Sequence, residues 1–301
     1  MPLNPVIERF LHYLDAELNY SALTVAAYRN DLAQWTEALT AGTGEPDFAS
    51  VTTSDIRAWM VQRSGRGDCP RTLRRKLQSV RSLYRYLMSR GEVDANPAAA
   101  VELAKVPKPL PSMVREKNIN ALLDSEVDMD DFEQVRNRLI IMMFYETGIR
   151  RAELIGLLDR NVDTAKGELR VHGKRDKDRV VPFGSELRDW IGQYRRLRAE
   201  TGATDDEFFV REHGGKLYPS LVYRVVHDGL RMAGASGKTS PHVLRHSFAS
   251  SMLNGGAGLG SVKELLGHES LATTQIYTHI TFSELQHNYK LAHPRALKKG
   301  E

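Results

Sequence analysis

Apolar residues recur at intervals of three and four through the first hundred positions of this 301-residue chain, which is the spacing of amphipathic helices. The clearest stripe begins after Ser21, a residue that can cap a helix, and consists of Tyr28, Leu32, Trp35 and Leu39. A further helix is expected after Ser54. A longer one begins near Pro70, and its apolar face consists of Leu73, Leu77, Val80, Tyr84 and Leu87. The pattern predicts an all-helical N-terminal domain over residues 1–105.

Prolines alternate with other residues in the sequence KVPKPLP at positions 105–111. Proline cannot continue a helix, so this stretch is expected to be extended and semi-rigid. We therefore predict a linker over residues 106–112 and a second domain over residues 113–301. Helical patterns recur in that domain at 119–123, 132–145, 152–157, 185–200 and 220–233.

Alternation of apolar and polar residues is convincing at one place in the second domain. The runs ELRVH at 168–172 and RVVPF at 179–183 flank a turn that contains Gly173 and Lys174. Two such runs around a glycine-containing loop predict a β-hairpin that presents Lys174 outward. The run EFFV at 207–210 is a candidate for a further short strand. The expected fold class is mainly α with a small β-sheet.

Composition limits the classes of protein to which the chain can belong. A net charge of +4 and a pI of about 9.1 make it modestly basic, so the distribution of charge matters more than its sum. Cys69 is the single cysteine, which excludes an internal disulfide framework and fits a reducing cytosol. The N-terminus lacks the long apolar core of a signal peptide, and no apolar run reaches membrane-spanning length. We therefore expect a cytoplasmic protein.

The helix that begins near Pro70 carries a run of cations with no acid among them. They are Arg71, Arg74, Arg75, Lys76, Arg81 and Arg85. A cationic face beside an apolar face is what binding to a phosphate backbone requires. A merely solvated surface is the alternative, since helices often carry basic residues. The absence of acids favours nucleic acid, and the DNA-binding candidates are Arg71, Arg74, Arg75, Arg81 and Arg85.

The densest chemistry lies between Ser240 and Ile280. Ser240 and Pro241 suit the start of a helix, on which His242 and Arg245 share a face because they are three residues apart. A glycine-rich turn and a second helical piece follow, ending at Gly267 with His268 directly after it, and a third piece over 271–279 carries Tyr277. These four side chains can converge. A lone histidine or tyrosine more often belongs to a core or a surface, and the His242–His246 pair lacks the further ligands of a metal site.

Arg150 and Lys174, which lie earlier in the chain, complete a set of side chains that can attack a phosphodiester. Arg150 lies at a helix start, where it opposes the helix dipole, so the sequence indicates an anion nearby. Tyr277 can attack the phosphorus, while Arg150 and Arg245 hold the non-bridging oxygens with forked guanidinium groups. His242 can accept the phenolic proton, His268 can donate a hydrogen bond, and Lys174 can protonate the departing 5′ oxygen. No metal or other cofactor is then needed, because the arginines supply the positive charge.

The order of these six residues resembles that of the tyrosine recombinase, or phage integrase, family. TGIRRAEL at 147–154 resembles the family's first arginine box, and GKRDKDRVVP at 173–182 resembles its lysine hairpin. Three further runs resemble its second box, namely HVLRHSFAS at 242–250, LLGHES at 265–270 and TTQIYTH at 273–279. The N-terminal half is similar to the family's helical, SAM-like core-binding domain, so the resemblance covers nearly the whole chain. The compact size is similar to the Xer branch, which resolves chromosome dimers at bacterial cell division.

The resemblance implies a fold, an activity and partners. It implies a C-terminal α+β catalytic domain, double-stranded DNA with a specific recombination site as substrate, and a 3′-phosphotyrosyl intermediate. It implies a tetramer with a second Xer-type recombinase, in which the tail after Ile280 docks on a neighbouring protomer. By the same resemblance the catalytic residues are Arg150, Lys174, His242, Arg245, His268 and the nucleophile Tyr277, without a metal.

Four functions remain to be weighed against one another. The first is DNA strand exchange, either by a Xer-type recombinase or by another integrase or transposon-type relative. The second is a type IB topoisomerase-like enzyme, which would relax supercoiled plasmid lacking a target site. The third is a non-catalytic DNA-binding regulator, whose activities would survive Tyr277→Phe. The fourth is a metal-dependent phosphodiesterase, which EDTA would inhibit.

Overall fold

The chain folds into two compact units, residues 1–108 and 109–301. The computed structural model describes residues 3–40, 46–103, 114–173, 178–267 and 282–296. The boundary between the units falls within the predicted linker, but residues 106–112 themselves lie outside the described ranges. Helices dominate the described residues, and the sheet found among them is small, as the sequence predicts. None of the described helices combines the length and the apolar character needed to cross a membrane.

The described part of the N-terminal unit is helical. Its helices are α1 (Pro5–His12), continued by a π-helical turn (Tyr13–Glu17), α2 (Ala22–Thr40), α3 (Thr53–Gly65) and α4 (Pro70–Ser89). Local chemistry fixes where they begin. The Asn4 side chain accepts a hydrogen bond from the backbone of Val6, and Thr52 and Asp55 form a reciprocal capping box at α3. Pro70 occupies the first turn of α4, where its missing N–H leaves no bond unmade.

The apolar stripes predicted for α2 and α4 form the core of this unit. Every member of the α4 stripe is buried, and so are Tyr28, Leu32 and Trp35 of α2, whereas Leu39 is only partly buried. The Trp35 ring packs against Trp59 of α3 with their centroids 4.9 Å apart. One face of each helix is therefore committed to packing, which restricts any binding surface to the opposite faces.

The second unit has eight described helices and a three-stranded antiparallel sheet. The helices are α5 (Glu116–Leu123), α6 (Phe132–Thr147), α7 (Arg151–Ile155), α8 (Ser185–Glu200), α9 (Pro219–Met232), α10 (Pro241–Asn254), α11 (Leu259–Leu266) and α12 (Phe282–Ala292). The strands β1 (Val162–Asp163), β2 (Glu168–His172) and β3 (Asp178–Pro182) lie in that order. The predicted strand at 207–210 makes only isolated bridges, Leu158 with Glu207 and Val210 with Lys216, so it does not extend the sheet.

Helix α6 is the centre of the second unit, because it is buried on nearly all sides and packs against α8, α9 and α10. It ends at Gly148, which adopts a left-handed conformation with φ of +62°. A side chain at this position would also overlap the ring of Phe248 on α10. The left-handed backbone and the close approach of the Phe248 ring both require glycine at this position. The chain can therefore turn directly from α6 into α7.

Helix α12 lies on its own unit, against α10, α11 and β3. Its residues Leu285, Tyr289 and Ala292 are buried. The backbone at the end of α12 and just after it packs closely on two glycines. A β carbon at Gly255 would overlap the Ala292 carbonyl, and one at Gly184 would lie 2.6 Å from the Ala296 carbonyl. The prediction that the tail docks on a neighbouring protomer concerns an assembly. In the single chain, α12 packs on its own unit.

A buried polar cluster lies where α12 meets α6. Glu146 is fully enclosed, and neither carboxyl oxygen makes a hydrogen bond of ordinary geometry within the described part of the chain, although the Tyr289 hydroxyl lies nearby. Burial raises the pKa of Glu146 well above its ordinary value, the nearby Glu186 adds to this, and Arg295 opposes it. His293, whose Nε2 lies 3.2 Å from the carbonyl oxygen of Tyr145, has its pKa lowered by burial to about 4.

We expect Glu146→Gln to remove a loss of stability that the wild type shows as the pH rises above about 4.3, the unfolded-state pKa of a glutamate. A carboxyl with a raised folded-state pKa stays protonated when folded and ionises on unfolding, so stability falls as the pH rises from its unfolded pKa toward its folded pKa. His293 is present in both proteins, so its own titration cancels in the comparison. Thermal denaturation over a series of pH values upward from about 4.3, the unfolded-state pKa of a glutamate, should show the wild type losing stability relative to the variant by at most about 1.4 kcal/mol per pH unit. Parallel curves for the two proteins would contradict this reading of the carboxyl.

Candidate active site

Helix α10 carries the first pair of predicted site residues. It begins at Pro241 with Ser240 as the N-cap residue, but the Ser240 side chain makes no capping hydrogen bond. His242 is exposed in the first turn, and Arg245 is 8% exposed one turn later. The helix therefore presents a histidine near solvent and sets an arginine into the interior of the unit.

Arg245 is held by two backbone carbonyl groups. Its Nη1 donates to the Gly148 carbonyl at the end of α6, and its Nη2 donates to the Leu266 carbonyl at 2.6 Å. Burial, with a contribution from Arg150, lowers the pKa of Arg245 to about 10. The guanidinium remains charged at neutral pH, and its plane is fixed by contacts with two separate elements.

Arg150 reaches the same place from the start of α7. Its Nη2 donates to the Gly267 carbonyl at 2.8 Å, and its side chain is 36% exposed. Its Nη1 and its backbone N–H both donate to the carboxylate of Glu153, each at 2.7 Å. The anion that an arginine at a helix start leads one to expect is therefore supplied by the chain itself.

Arg179 of β3 completes the arrangement, although the sequence did not mark it as a site residue. Its Nε donates to the Leu265 carbonyl at 2.8 Å, and its two terminal nitrogens contact the two carboxylate oxygens of Glu153 at 2.8 and 2.9 Å. Burial by itself would raise the pKa of Glu153, but hydrogen bonds from Arg179 and Arg150 hold it at about 2. Glu153 is consequently an anion at every physiological pH.

Three consecutive carbonyls at the end of α11, those of Leu265, Leu266 and Gly267, thus each accept a hydrogen bond from a different arginine. We refer to them as the α11 carbonyl turn. The last carbonyls of a helix have no partner within it and carry its negative dipole end, so cations are favoured there. The result is a concentration of positive charge directly before His268 in the sequence.

The structure brings together two of the six predicted catalytic residues, Arg150 and Arg245, and places His242 on the same helix as Arg245. Lys174, His268 and Tyr277 lie outside the described residues. Among the described residues, no three histidine, cysteine, aspartate or glutamate side chains are grouped to hold a metal ion. The site residues that sequence reasoning missed are Glu153 and Arg179.

The cations predicted on α4 differ in how far their side chains are exposed. Arg71, Arg74 and Arg85 are exposed, and Arg85 also donates to the Ser82 hydroxyl at 2.9 Å. Lys76 is 2% exposed and lies 3.5 Å from the buried carboxylate of Asp31, so its inclusion in the cationic face was wrong.

Two of the predicted DNA contacts on α4 already bind groups of the same unit. Arg75 forms an ion pair with Asp31, although its side chain remains 42% exposed. Arg81 donates to the carbonyls of Ala98 and Val101 and is partly buried. These two arginines therefore stabilise the unit whatever else they contact.

Two family models match the chain. The model of the phage integrase family matches residues 112–284, and the model of the phage integrase N-terminal SAM-like domain matches residues 7–91. The two matches fall on the second and the first unit, respectively.

Similar proteins cover the chain almost end to end. A tyrosine recombinase XerC from Chlorobaculum tepidum is 36% identical over 95% of this chain and 94% of its own length. A tyrosine recombinase XerC from Vibrio parahaemolyticus is 38% identical over 99% and 96%. Among solved structures, the pre-cleavage complex of the XerH site-specific recombinase with its difH substrate has a TM-score of 0.70, at 21% identity over 95% of this chain and 96% of that one. This last likeness concerns the fold.

Proposed function

This chain belongs to the phage integrase family, as a tyrosine recombinase of the Xer branch that cuts and rejoins DNA at specific sites, and we propose that Tyr277 is its nucleophile. In this proposal the phenolic oxygen attacks the phosphorus, the bond to the 5′ oxygen breaks, and a 3′-phosphotyrosyl ester remains. His242 accepts the phenolic proton, and Lys174 protonates the departing 5′ oxygen. The ester conserves the energy of the broken bond, so the 5′-hydroxyl of a second strand can reverse the step without ATP.

The observation that carries the assignment of the site is the convergence of Arg150 and Arg245 on the α11 carbonyl turn. The two arginines come from different elements, yet they donate to adjacent carbonyls, those of Gly267 and Leu266, directly before His268 in the sequence. Forked guanidinium groups match the non-bridging oxygens of a phosphate, and their fixed charge stabilises the charge that develops in phosphoryl transfer. In the proposal His268 donates a further hydrogen bond to the same phosphate.

The experiment that tests this proposal uses a suicide substrate, a candidate recombination site with a nick beside the scissile phosphate. The short 5′-terminated fragment diffuses away after attack, so the covalent protein–DNA adduct accumulates. Proteolysis and mass spectrometry of the adduct should identify the peptide that contains Tyr277. Attachment at another residue, or cleavage without an adduct, would overturn the assignment.

We also propose that the chain acts with a second recombinase in the cytoplasm. In this proposal the partner is of the XerD type, four protomers hold two DNA duplexes, and chromosome and plasmid dimers are converted to monomers. The relatives named tyrosine recombinase XerC support a recombinase of this branch. The tail after Ile280 would then dock on a neighbouring protomer, whereas in the single chain the backbone at Ala292 and Ala296 packs on Gly255 and Gly184 of its own unit. Mixing the chain with an XerD-type recombinase on a site-bearing duplex should give Holliday junctions that neither protein makes alone. Junctions formed by this chain alone would contradict the need for a second recombinase.

Neutralising exposed arginines of α4 should weaken DNA binding in a salt-dependent way. We expect Arg74→Gln with Arg85→Gln to reduce the slope of log K against log salt by roughly 0.9 for each phosphate that the variant no longer neutralises. The matched control is Arg9→Gln with Arg90→Gln, which removes the same charge from arginines that pair with Glu92 and Glu17. Fluorescence anisotropy over a salt series measures both. Equal slopes for the two double variants would show that this face of α4 is merely solvated.

A further inference from the structure

We infer that Arg179 is a positioning residue for the recombination reaction, keeping the guanidinium of Arg150 available to the scissile phosphate. The inference rests on the proposed function, because it concerns the same phosphate. Arg179 is assigned no contact with the substrate or the nucleophile. It acts on Arg150 through Glu153.

Glu153 is an anion shared between two cations. Its side chain is 4% exposed and accepts hydrogen bonds from both Arg150 and Arg179. The Arg179 contact is bidentate, whereas the Arg150 guanidinium reaches Glu153 through one nitrogen and the Gly267 carbonyl through another. One negative charge against two positive charges leaves a net cation at the site.

Without Arg179, the charge balance would change at Arg150. A buried carboxylate must be paired, and Arg150 would be the cation left to pair with it. The two would form a closed, neutral ion pair, and the guanidinium would be drawn toward Glu153 rather than toward a phosphate oxygen. Arg179 limits this by sharing both carboxylate oxygens with Arg150, so that Glu153 is already neutralised without drawing the whole Arg150 guanidinium to it.

Arg179 also joins two parts of the unit that hold other predicted site residues. It is the second residue of β3 and pairs with Val171 of β2, and Lys174 lies between these two strands in the sequence. Its Nε holds the Leu265 carbonyl, and its side chain packs on Gly267, where an added β carbon would lie 3.3 Å from the Arg179 Cδ. One side chain therefore fixes the base of the lysine hairpin relative to the α11 carbonyl turn.

A purely structural role is the competing explanation, because Arg179 is only 13% exposed and its loss would leave a buried carboxylate short of a partner. Single-turnover adduct formation on the suicide substrate distinguishes the two. The amplitude reports the fraction of folded, competent protein, and the rate constant reports the chemistry of that fraction. Arg179→Met tests the loss of the cation, Arg179→Lys retains a point charge without the fork, and Arg170→Met is a matched control on the exposed side of β2.

We expect Arg179→Met to lower the rate constant on the order of 10- to 100-fold at saturating DNA, a typical effect for an outer group that orients a reactive one, with near-normal amplitude and DNA affinity. Arg179→Lys should fall between this variant and the wild type, and Arg170→Met should match the wild type. Adding Glu153→Gln to Arg179→Met should restore part of the rate, because the neutral amide no longer draws Arg150 away.

Two outcomes would overturn the inference. One is a lowered amplitude with an unchanged rate constant, which means that Arg179 only stabilises the fold. The other is a Glu153→Gln/Arg179→Met variant no faster than Arg179→Met alone. Absence of an adduct with the wild-type chain would instead refute the proposed function, so the two failures are distinguishable.

Discussion

Replacing Tyr277 with phenylalanine is expected to abolish the covalent DNA adduct while leaving DNA binding near normal. Phenylalanine keeps the ring and its packing but lacks the oxygen that would form the bond to phosphorus. Removal of a nucleophile costs on the order of 10⁴-fold or more in rate, which places the variant below detection on a denaturing gel. An electrophoretic mobility shift in parallel confirms that the variant still binds the site.

The matched control is Tyr223→Phe, which removes a hydroxyl from a tyrosine that is 42% exposed on α9. Its adduct should form at the wild-type rate. Adduct bands from Tyr277→Phe, or their loss from Tyr223→Phe as well, would disprove the assignment of the nucleophile. Survival of recombination in Tyr277→Phe would favour a regulator that recruits another enzyme.

The second large effect is expected at Arg245, where lysine should lower the rate of adduct formation about 100- to 1,000-fold. Lysine keeps the charge but is a point donor, and it cannot hold the carbonyls of Gly148 and Leu266 at once while facing a phosphate. Single-turnover kinetics at saturating DNA measure the effect, and thermal denaturation checks that the variant is folded.

Arg151→Lys is the matched control for Arg245→Lys. Arg151 adjoins Arg150 in the sequence, but its Nη1 contacts the Pro219 carbonyl at 3.4 Å and takes no part in the α11 carbonyl turn. We expect its rate to stay within about threefold of the wild type. A steep fall at Arg151 together with a mild one at Arg245 would show that the phosphate contacts had been assigned to the wrong arginines.

Features fixed by local chemistry could be predicted from the sequence. The helix at 185–200 was predicted to the residue, and α11 ends at Gly267 as predicted. The hairpin of β2 and β3 was predicted to within one residue at each end. Capping, glycine conformation and strand alternation act over a few residues, so the sequence shows them directly.

Features that depend on contacts between distant residues could not be predicted. Lys76 looked like part of a cationic face, but Asp31 lies forty-five positions earlier and draws it into the core of the first unit. Arg179 looked like one residue of a strand, because no residue near it in the sequence indicates contacts with Glu153 or with the Leu265 carbonyl. A signal was present for Glu153 alone, since it stands three residues after Arg150, the spacing of a capping box.

The α11 carbonyl turn has a consequence for how the site can fail. Since Arg150, Arg179 and Arg245 come from three separate elements but share one anchor, a shift of that anchor displaces all three at the same moment. A change in this turn would therefore disrupt all three arginine contacts together instead of weakening them one at a time.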